Sequence, residues 1–279
     1  VVATALVAIL AAPAAAADRS GQTYVALGDS FTAGSGVLPV TARFTPLGCF
    51  QSAANYPHLL QQRYRFGRFV DASCGAAKTG DMEGSQQMTV GANPPQFNRL
   101  AGGADVVTLG IGGNDMGFGD IILNCPSPVP WGSRCRNRFV RGGVDTLRQR
   151  IREIEPRVVR VLDGIRARAP RAAVYVVGYP RIIPMSGIGC WPQLPLAKGD
   201  ASYLDGIERE LNAMLARAAA SRGARYVDTY TPSRSADACK PPGLRWVEPA
   251  LAIGTFVPVH PNNIGELGMA SAVARAIGL

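Results

Sequence analysis

Thr23-Tyr24-Val25-Ala26-Leu27-Gly28-Asp29-Ser30-Phe31-Thr32 begins with five mostly apolar residues, two of them β-branched, and breaks at Gly28-Asp29-Ser30. Such a run reads as a buried strand of a parallel sheet. Open α/β sheets place their ligands beyond the carboxyl ends of the strands. Ser30 therefore stands where a nucleophile would stand, although Gly-Asp-Ser alone is also an ordinary turn. Its role depends on what the rest of the chain supplies to it.

Working outward, four more runs read as strands, at 68–72, 104–111, 172–177 and 225–228. Helical periodicity marks 56–66, 140–169, 201–221 and 263–277, and a short helix is expected over 94–100. In 140–169 the apolar stripe is Leu147, Ile151, Ile154, Val158, Val161, Leu162 and Ile165. Pro156 is expected to kink that helix or divide it. Strands alternate with helices, which predicts a three-layer α/β/α sandwich around a five-stranded parallel sheet with right-handed crossovers. No linker divides 20–279, so one domain is expected there.

Composition sets the outer bounds. The 279 residues are 47% hydrophobic and 18% charged, enough apolar material for a packed core. Residues 1–17 are apolar apart from Thr4 and end in Ala14-Ala15-Ala16-Ala17. They read as the hydrophobic and cleavage regions of a secretory signal, without the usual basic start. The alternative is an N-terminal membrane anchor, for which the stretch is short and carries Pro13. The six cysteines are Cys49, Cys74, Cys125, Cys135, Cys190 and Cys239, an even number that suits an exported, disulfide-bonded chain. Sequence alone leaves their pairing open, with sequential pairing the simplest. No zinc spacing is present, so no metal is expected. The net charge is +9, with much of the arginine between 134 and 171. That surface suits an anionic membrane or an acidic cell wall, or is a solvated helix face. Export argues against nucleic acid.

Only two histidines are available, His58 and His260. His58 lies in a helical stretch beside Leu59 and Leu60 and reads as a surface or packing residue. His260 lies in a proline-flanked loop before the last helix. A serine nucleophile needs a base that titrates near neutrality, and His260 is the candidate partner of Ser30. Acyl transfer also needs donors for a developing oxyanion. Asn114 in Gly112-Gly113-Asn114-Asp115, which otherwise reads as a tight turn or a calcium-lining loop, and the backbone N–H of Gly75 both follow strand ends.

The order Ser, Gly, Asn, His, with Gly28-Asp29-Ser30-Phe31, Gly112-Gly113-Asn114-Asp115 and His260-Pro261-Asn262, resembles the SGNH (GDSL-type) hydrolases over nearly the whole expected mature chain. The cysteine spacing resembles secreted actinobacterial lipases and phospholipases of that family. The resemblance implies three sequential disulfides: Cys49–Cys74, Cys125–Cys135 and Cys190–Cys239. It implies a secreted carboxylic-ester hydrolase with Ser30 as nucleophile and His260 as base. The oxyanion donors would be the N–H groups of Ser30 and Gly75 and the amide of Asn114. Gly80 is the alternative at the glycine position. Most of the family carries an Asp three residues before the histidine, where this chain has Val257. The expectation is therefore a Ser30–His260 dyad with the carbonyl of Val257 or Pro258 holding the imidazole.

Phe44, Phe50, Phe118, Trp131 and Trp191 are candidates for an acyl groove or for packing under disulfide loops. Acylglycerols, phospholipids and short acyl esters are the substrates this implies, and no cofactor is required. An acetyl esterase acting on cell-wall or plant glycans is the alternative enzyme. A catalytically silent surface-binding module is the alternative outside enzymes. A monomer is expected.

Overall fold

The computed structural model describes residues 18–89, 91–100, 103–251 and 257–279. The expected signal segment 1–17 lies outside them. Five parallel strands form the central sheet: β1 (Thr23–Gly28), β2 (Arg68–Asp71), β3 (Val106–Gly110), β4 (Ala173–Val177) and β5 (Arg225–Val227), in the order β2-β1-β3-β4-β5. β1 registers Val25 against Val70 on one side and Val107 on the other.

Both sheet faces are buried, so the strands read as continuous apolar runs. Val25, Leu27, Val107, Leu109, Val174 and Val176 point to one face, beneath α6 (Thr146–Arg168) and α7 (Lys198–Ser221). Tyr24, Ala26, Val106, Tyr175 and Val177 point to the other, beneath α2 (Tyr56–Tyr64) and α8 (Asn263–Ile277). The alternation follows from the period of two along a strand. The expected three layers and five strands are present.

Two expectations about α6 are corrected. The helix begins at Thr146 instead of 140, because Gly142 and Gly143 take φ of 56° and 79° and turn a small hairpin pairing Val140–Arg141 with Val144–Asp145. Asp145 then caps the helix by accepting from the N–H groups of Leu147 and Arg148. Nor does Pro156 divide the helix, which runs unbroken through it. Pro156 and Arg152 are both exposed, so the carbonyl of Arg152 that loses its usual donor lies on the side facing water. The stretch expected to be helical at 94–100 forms a 3₁₀ turn over Gln96–Leu100.

The helices between β3 and α6 are short: α3 (Gly113–Met116), α4 (Phe118–Asn124) and α5 (Arg134–Phe139). With α1 (Ser30–Ala33) they gather at the carboxyl ends of β1 and β3. The disulfides are Cys49–Cys74, Cys125–Cys135 and Cys190–Cys239, the sequential pairing.

Candidate active site

The nucleophile loop is fixed from beneath. Gly28 ends β1 with both backbone groups held by the side-chain amide of Gln96, each at 2.8 Å. A Cβ on Gly28 would lie 2.5 Å from the carbonyl oxygen of Gly110, so no larger residue fits where β1 meets β3. The N–H of Asp29 donates to Gly110 O at 2.9 Å. Its carboxylate caps α1 by accepting from Phe31 N, and accepts from the Tyr179 hydroxyl at 2.5 Å. Burial pushes the Asp29 carboxyl up to about 7, against the pull of the Tyr179 hydroxyl and the Phe31 N–H.

Ser30 is the first residue of α1. Its Oγ lies 2.7 Å from His260 Nε2, across 230 residues of sequence. His260 Nδ1 lies 2.8 Å from the carbonyl oxygen of Pro258. A carbonyl only accepts, so Nδ1 carries the proton and Nε2 is left to accept from the serine hydroxyl. Of the two carbonyls expected at this position, Pro258 makes the contact. Val259, between them, is held at φ 58°, a conformation costly for a β-branched residue. Glu248 N donates to His260 O, and Asn262 N to Trp246 O, so the segment 246–248 anchors the histidine loop. Asn262 caps α8 directly behind it.

Burial dominates the imidazole. His260 is 8% exposed and packs against Phe31, with ring centroids 4.9 Å apart, and against Phe118. Desolvation lowers its pKa from 6.5 to about 4, opposed only by the bond to Pro258. The base is therefore neutral at neutral pH.

Asn114 follows β3 in α3. Its Nδ2 donates to Ala77 O at 3.0 Å, which leaves its second N–H for another acceptor. Asp115, beside it, holds the N–H and hydroxyl of Thr79 at 3.0 and 2.6 Å. The loop after β2 is thus tied to α3. Gly75 departs from expectation. Its N–H donates to Cys49 O at 2.8 Å, and its carbonyl accepts from Gln86. A Cβ there would approach Cys49 O to 2.9 Å, so the glycine serves close packing beside the disulfide. The neighbour Ala76 is exposed and takes φ 61°. Among the described residues, the N–H groups of Ala76 and Ser30 have no backbone acceptor. Gly80 lies a turn further on, in the 3₁₀ segment Thr79–Met82. An alanine does not announce a left-handed conformation, so sequence reasoning misses Ala76.

His58 is buried, with Nδ1 2.7 Å from Asn55 Oδ1 and 3.5 Å from Asp71. It is a packing residue. Asn55 in turn donates to Thr32 O and so supports α1 from behind.

A largely apolar cavity of about 90 Å³ lies beside the site. Gly113, Phe118 and Val259 line it, the first and last being chain neighbours of Asn114 and His260, while Ser30, Asn114 and His260 themselves do not. Ile121 and Ile122 of α4, Ile182 and Leu194, and Leu204, Ile207 and Leu211 of α7 also line it. Of the five aromatic candidates for an acyl groove, only Phe118 contributes. Phe44 packs edge-on to Phe69, 5.4 Å away, and beside His58. Phe50 and Trp131 are exposed, and Trp191 is half-buried away from the cavity. The walls are mostly aliphatic, with Phe118, Tyr179 and the buried Glu208 among them, and sequence alone does not separate the aliphatic residues from ordinary core.

Tyr179 is a second residue that sequence reasoning missed. Its hydroxyl accepts from Gly113 N at 2.8 Å while donating to Asp29, so one phenol joins the serine loop to the asparagine loop. Asn212 of α7 clamps the backbone N–H and carbonyl of Tyr179.

With this geometry in hand, the comparisons with known proteins agree. The GDSL-like lipase/acylhydrolase family matches residues 26–266. A Streptomyces coelicolor protein named Lipase 2 is 42% identical over 275 residues, covering 96% of this chain and 90% of that one. The crystal structure of phospholipase A1 from Streptomyces albidoflavus NA297 superposes with TM-score 0.75 at 26% identity, covering 91% of this chain and 98% of that one. The extracellular lipase of Streptomyces rimosus gives TM-score 0.75 at 27% identity, with coverage of 91% and 99%.

Proposed function

Because the chain belongs to the GDSL-like lipase/acylhydrolase family and is a serine ester hydrolase, we propose that it cleaves fatty-acyl esters with a two-residue Ser30–His260 machinery. The observation that carries this reading is the 2.7 Å contact between Ser30 Oγ and His260 Nε2, beside a cavity whose lining residue Phe118 packs against the His260 ring.

In acylation, Ser30 Oγ attacks the ester carbonyl carbon as Nε2 removes its proton. The resulting oxyanion is held by the N–H of Ser30, the N–H of Ala76 in place of Gly75, and the free N–H of the Asn114 amide. The imidazolium then gives its proton to the departing alcohol. A water follows the same route in reverse to release the acid and restore the serine. Pro258 O keeps Nδ1 protonated throughout and so fixes the tautomer. A neutral carbonyl does this without the full charge that a carboxylate would add.

The cavity supports a fatty-acyl substrate over an acetylated glycan, because an acetyl group would leave its aliphatic walls unused. The three disulfides and the extracellular lipase neighbour support secretion. The test is labelling by a fluorophosphonate probe. The wild-type protein is expected to label at Ser30 and lose p-nitrophenyl octanoate hydrolysis with it. Labelling that persists in Ser30→Ala, or activity that survives in that variant, overturns the assignment.

A further inference from the structure

The segment between α3 and α6 has two sides with different chemistry. Inward, Ile121 and Ile122 of α4 line the apolar cavity. Outward, Arg134 and Arg138 of α5 and Arg141 of the following hairpin converge with Leu123 and Asn124 on an open groove of about 640 Å³. Pro126 lines both, so a thin wall separates cavity from groove. The groove has no acidic residue in its lining. Arg138 reaches Asp120 only at 3.9 Å, and among the described residues neither Arg134 nor Arg141 has a carboxylate within 4.0 Å.

Three guanidinium groups around one groove repel each other, and folding alone gives no reason to gather them. An anion resolves the repulsion, and arginine is suited to the paired oxygens of a phosphate. Beside them, Leu123 is 81% exposed, the highest value among the large apolar side chains exposed on the described residues. Trp131, in the loop closed by the Cys125–Cys135 bond, is 69% exposed. Cationic heads interleaved with exposed apolar side chains match the boundary of an anionic bilayer, where phosphates lie above acyl chains.

We propose that this groove docks the protein onto an anionic phospholipid surface, with headgroup phosphates against Arg134, Arg138 and Arg141 and with Leu123 entering the interface. The same lobe then meets the lipid surface on one side and walls the acyl cavity on the other. Only this last step rests on the fatty-acyl reading above.

The experiment is co-sedimentation with vesicles of phosphatidylcholine alone or mixed with phosphatidylglycerol, using a Ser30→Ala background so that the vesicles stay intact. Binding to the anionic vesicles is expected to be at least tenfold tighter than to neutral ones, and to weaken with salt. The triple variant R134Q/R138Q/R141Q is expected to lose that preference, and L123D to weaken binding on its own. In the active background the triple variant is expected to hydrolyse p-nitrophenyl butyrate within about twofold of wild type, which also reports that it is folded. If the triple variant does not fold, R141Q alone is expected to reduce anionic binding severalfold. Equal binding to both vesicle types, or undiminished anionic binding by the folded arginine variants, overturns the proposal. Absence of soluble-ester hydrolysis in the wild type would instead overturn the fatty-acyl reading and leave the docking result standing.

Discussion

A base with no carboxylate beside it, packed against aromatic rings, should work unusually far into acid. His260 must be neutral to accept the Ser30 proton, so kcat/KM falls where the imidazole protonates. Burial moves that point from 6.5 down to about 4. The displacement of about 2.5 pH units corresponds to about 3 kcal/mol against the charged form. At pH 5 a base with the ordinary value would be about 3% neutral, whereas one at 4 is about 90% neutral. The assay is kcat/KM for p-nitrophenyl butyrate from pH 3.5 to 8, with product read after quenching into alkali. Activity at pH 5 is expected to stay near its plateau. Circular dichroism is followed alongside, because the linkages oppose one another: His260, whose folded pKa is lowered, costs stability as pH falls below the ordinary imidazole value. Burial raises the carboxyls of Asp29, Glu208 and Glu266 above their ordinary values, so these groups bind protons more tightly in the folded chain. Their contribution to stability therefore grows as pH falls toward the unfolded carboxyl range, and is lost as pH rises through the folded values. An acid limb centred between 6 and 7, with the circular dichroism unchanged and the limb unmoved in Asp29→Asn, whose carboxyl titrates near 7 in the wild type, refutes the reasoning. Val257→Asp supplies the complementary arm. A carboxylate near the imidazolium should move the limb upward, while the plateau changes by less than about a hundredfold. A gain of several hundredfold would mean that Pro258 O does not suffice.

Three other outcomes are expected. Tyr179→Phe removes the hydroxyl that joins Asp29 to Gly113, so kcat should fall about ten- to a hundredfold with KM little changed; an equal loss in both parameters and in melting temperature would make the phenol merely structural. Leu204→Trp fills the cavity, and a series of p-nitrophenyl esters from acetate to palmitate should show long chains losing at least tenfold while acetate is retained. Ala76→Gly relieves a left-handed alanine and should raise stability by about 1 kcal/mol in urea titrations with activity kept, whereas Gly75→Ala drives a methyl into Cys49 O and should lower both.

The sheet was legible because burial on both faces leaves an unmistakable trace in a parallel strand. Tyr24 to Leu27 and Val106 to Leu109 have no solvent face on which to place polar residues. The positions of Ser30, Asn114 and His260 are legible because each follows a strand or precedes a helix and carries a distinctive functional group, and the structure brings Ser30 and His260 into contact. What sequence concealed was backbone conformation and side-chain direction. Gly75 attracts the oxyanion reading because glycine signals close approach, but the approach it makes is to Cys49. The N–H without a backbone acceptor belongs to the neighbouring Ala76, whose side chain carries no such mark. The long helix was extended too far toward its start because Gly142-Gly143 separates a hairpin too short to show alternation. Pro156 does not divide the helix, because it lies on the exposed side, where the freed carbonyl faces water. The cavity is not legible, because Ile121, Ile182 and Ile207 look like any other core residues.

On the proposed mechanism, the absence of an acid at Val257 and the apolar cavity belong to one physical arrangement. Phe118 and Val259 line the cavity, and Phe118 also packs against the His260 ring. The apolar surroundings proposed to receive an acyl chain therefore also desolvate the base. Val257 is only half-buried and does not line the cavity; what the loop offers the imidazole is the carbonyl of Pro258. A backbone carbonyl fixes the tautomer without importing charge. The cost falls on the imidazolium, which is disfavoured by burial and gains only a neutral acceptor. That state lasts only while the tetrahedral intermediate carries an adjacent negative charge, so the oxyanion itself is the nearest compensating ion. The donors proposed at Ser30, Ala76 and Asn114 would consequently bear more of the rate than they would beside a charged triad. Asn114→Ala is expected to cost more than the 10²–10³-fold in kcat usual for one oxyanion donor. In the Val257→Asp background the same substitution should cost less, because the imidazolium would then have a second partner. Equal losses in the two backgrounds would show that base and oxyanion site act independently, and the coupling argued here would fail.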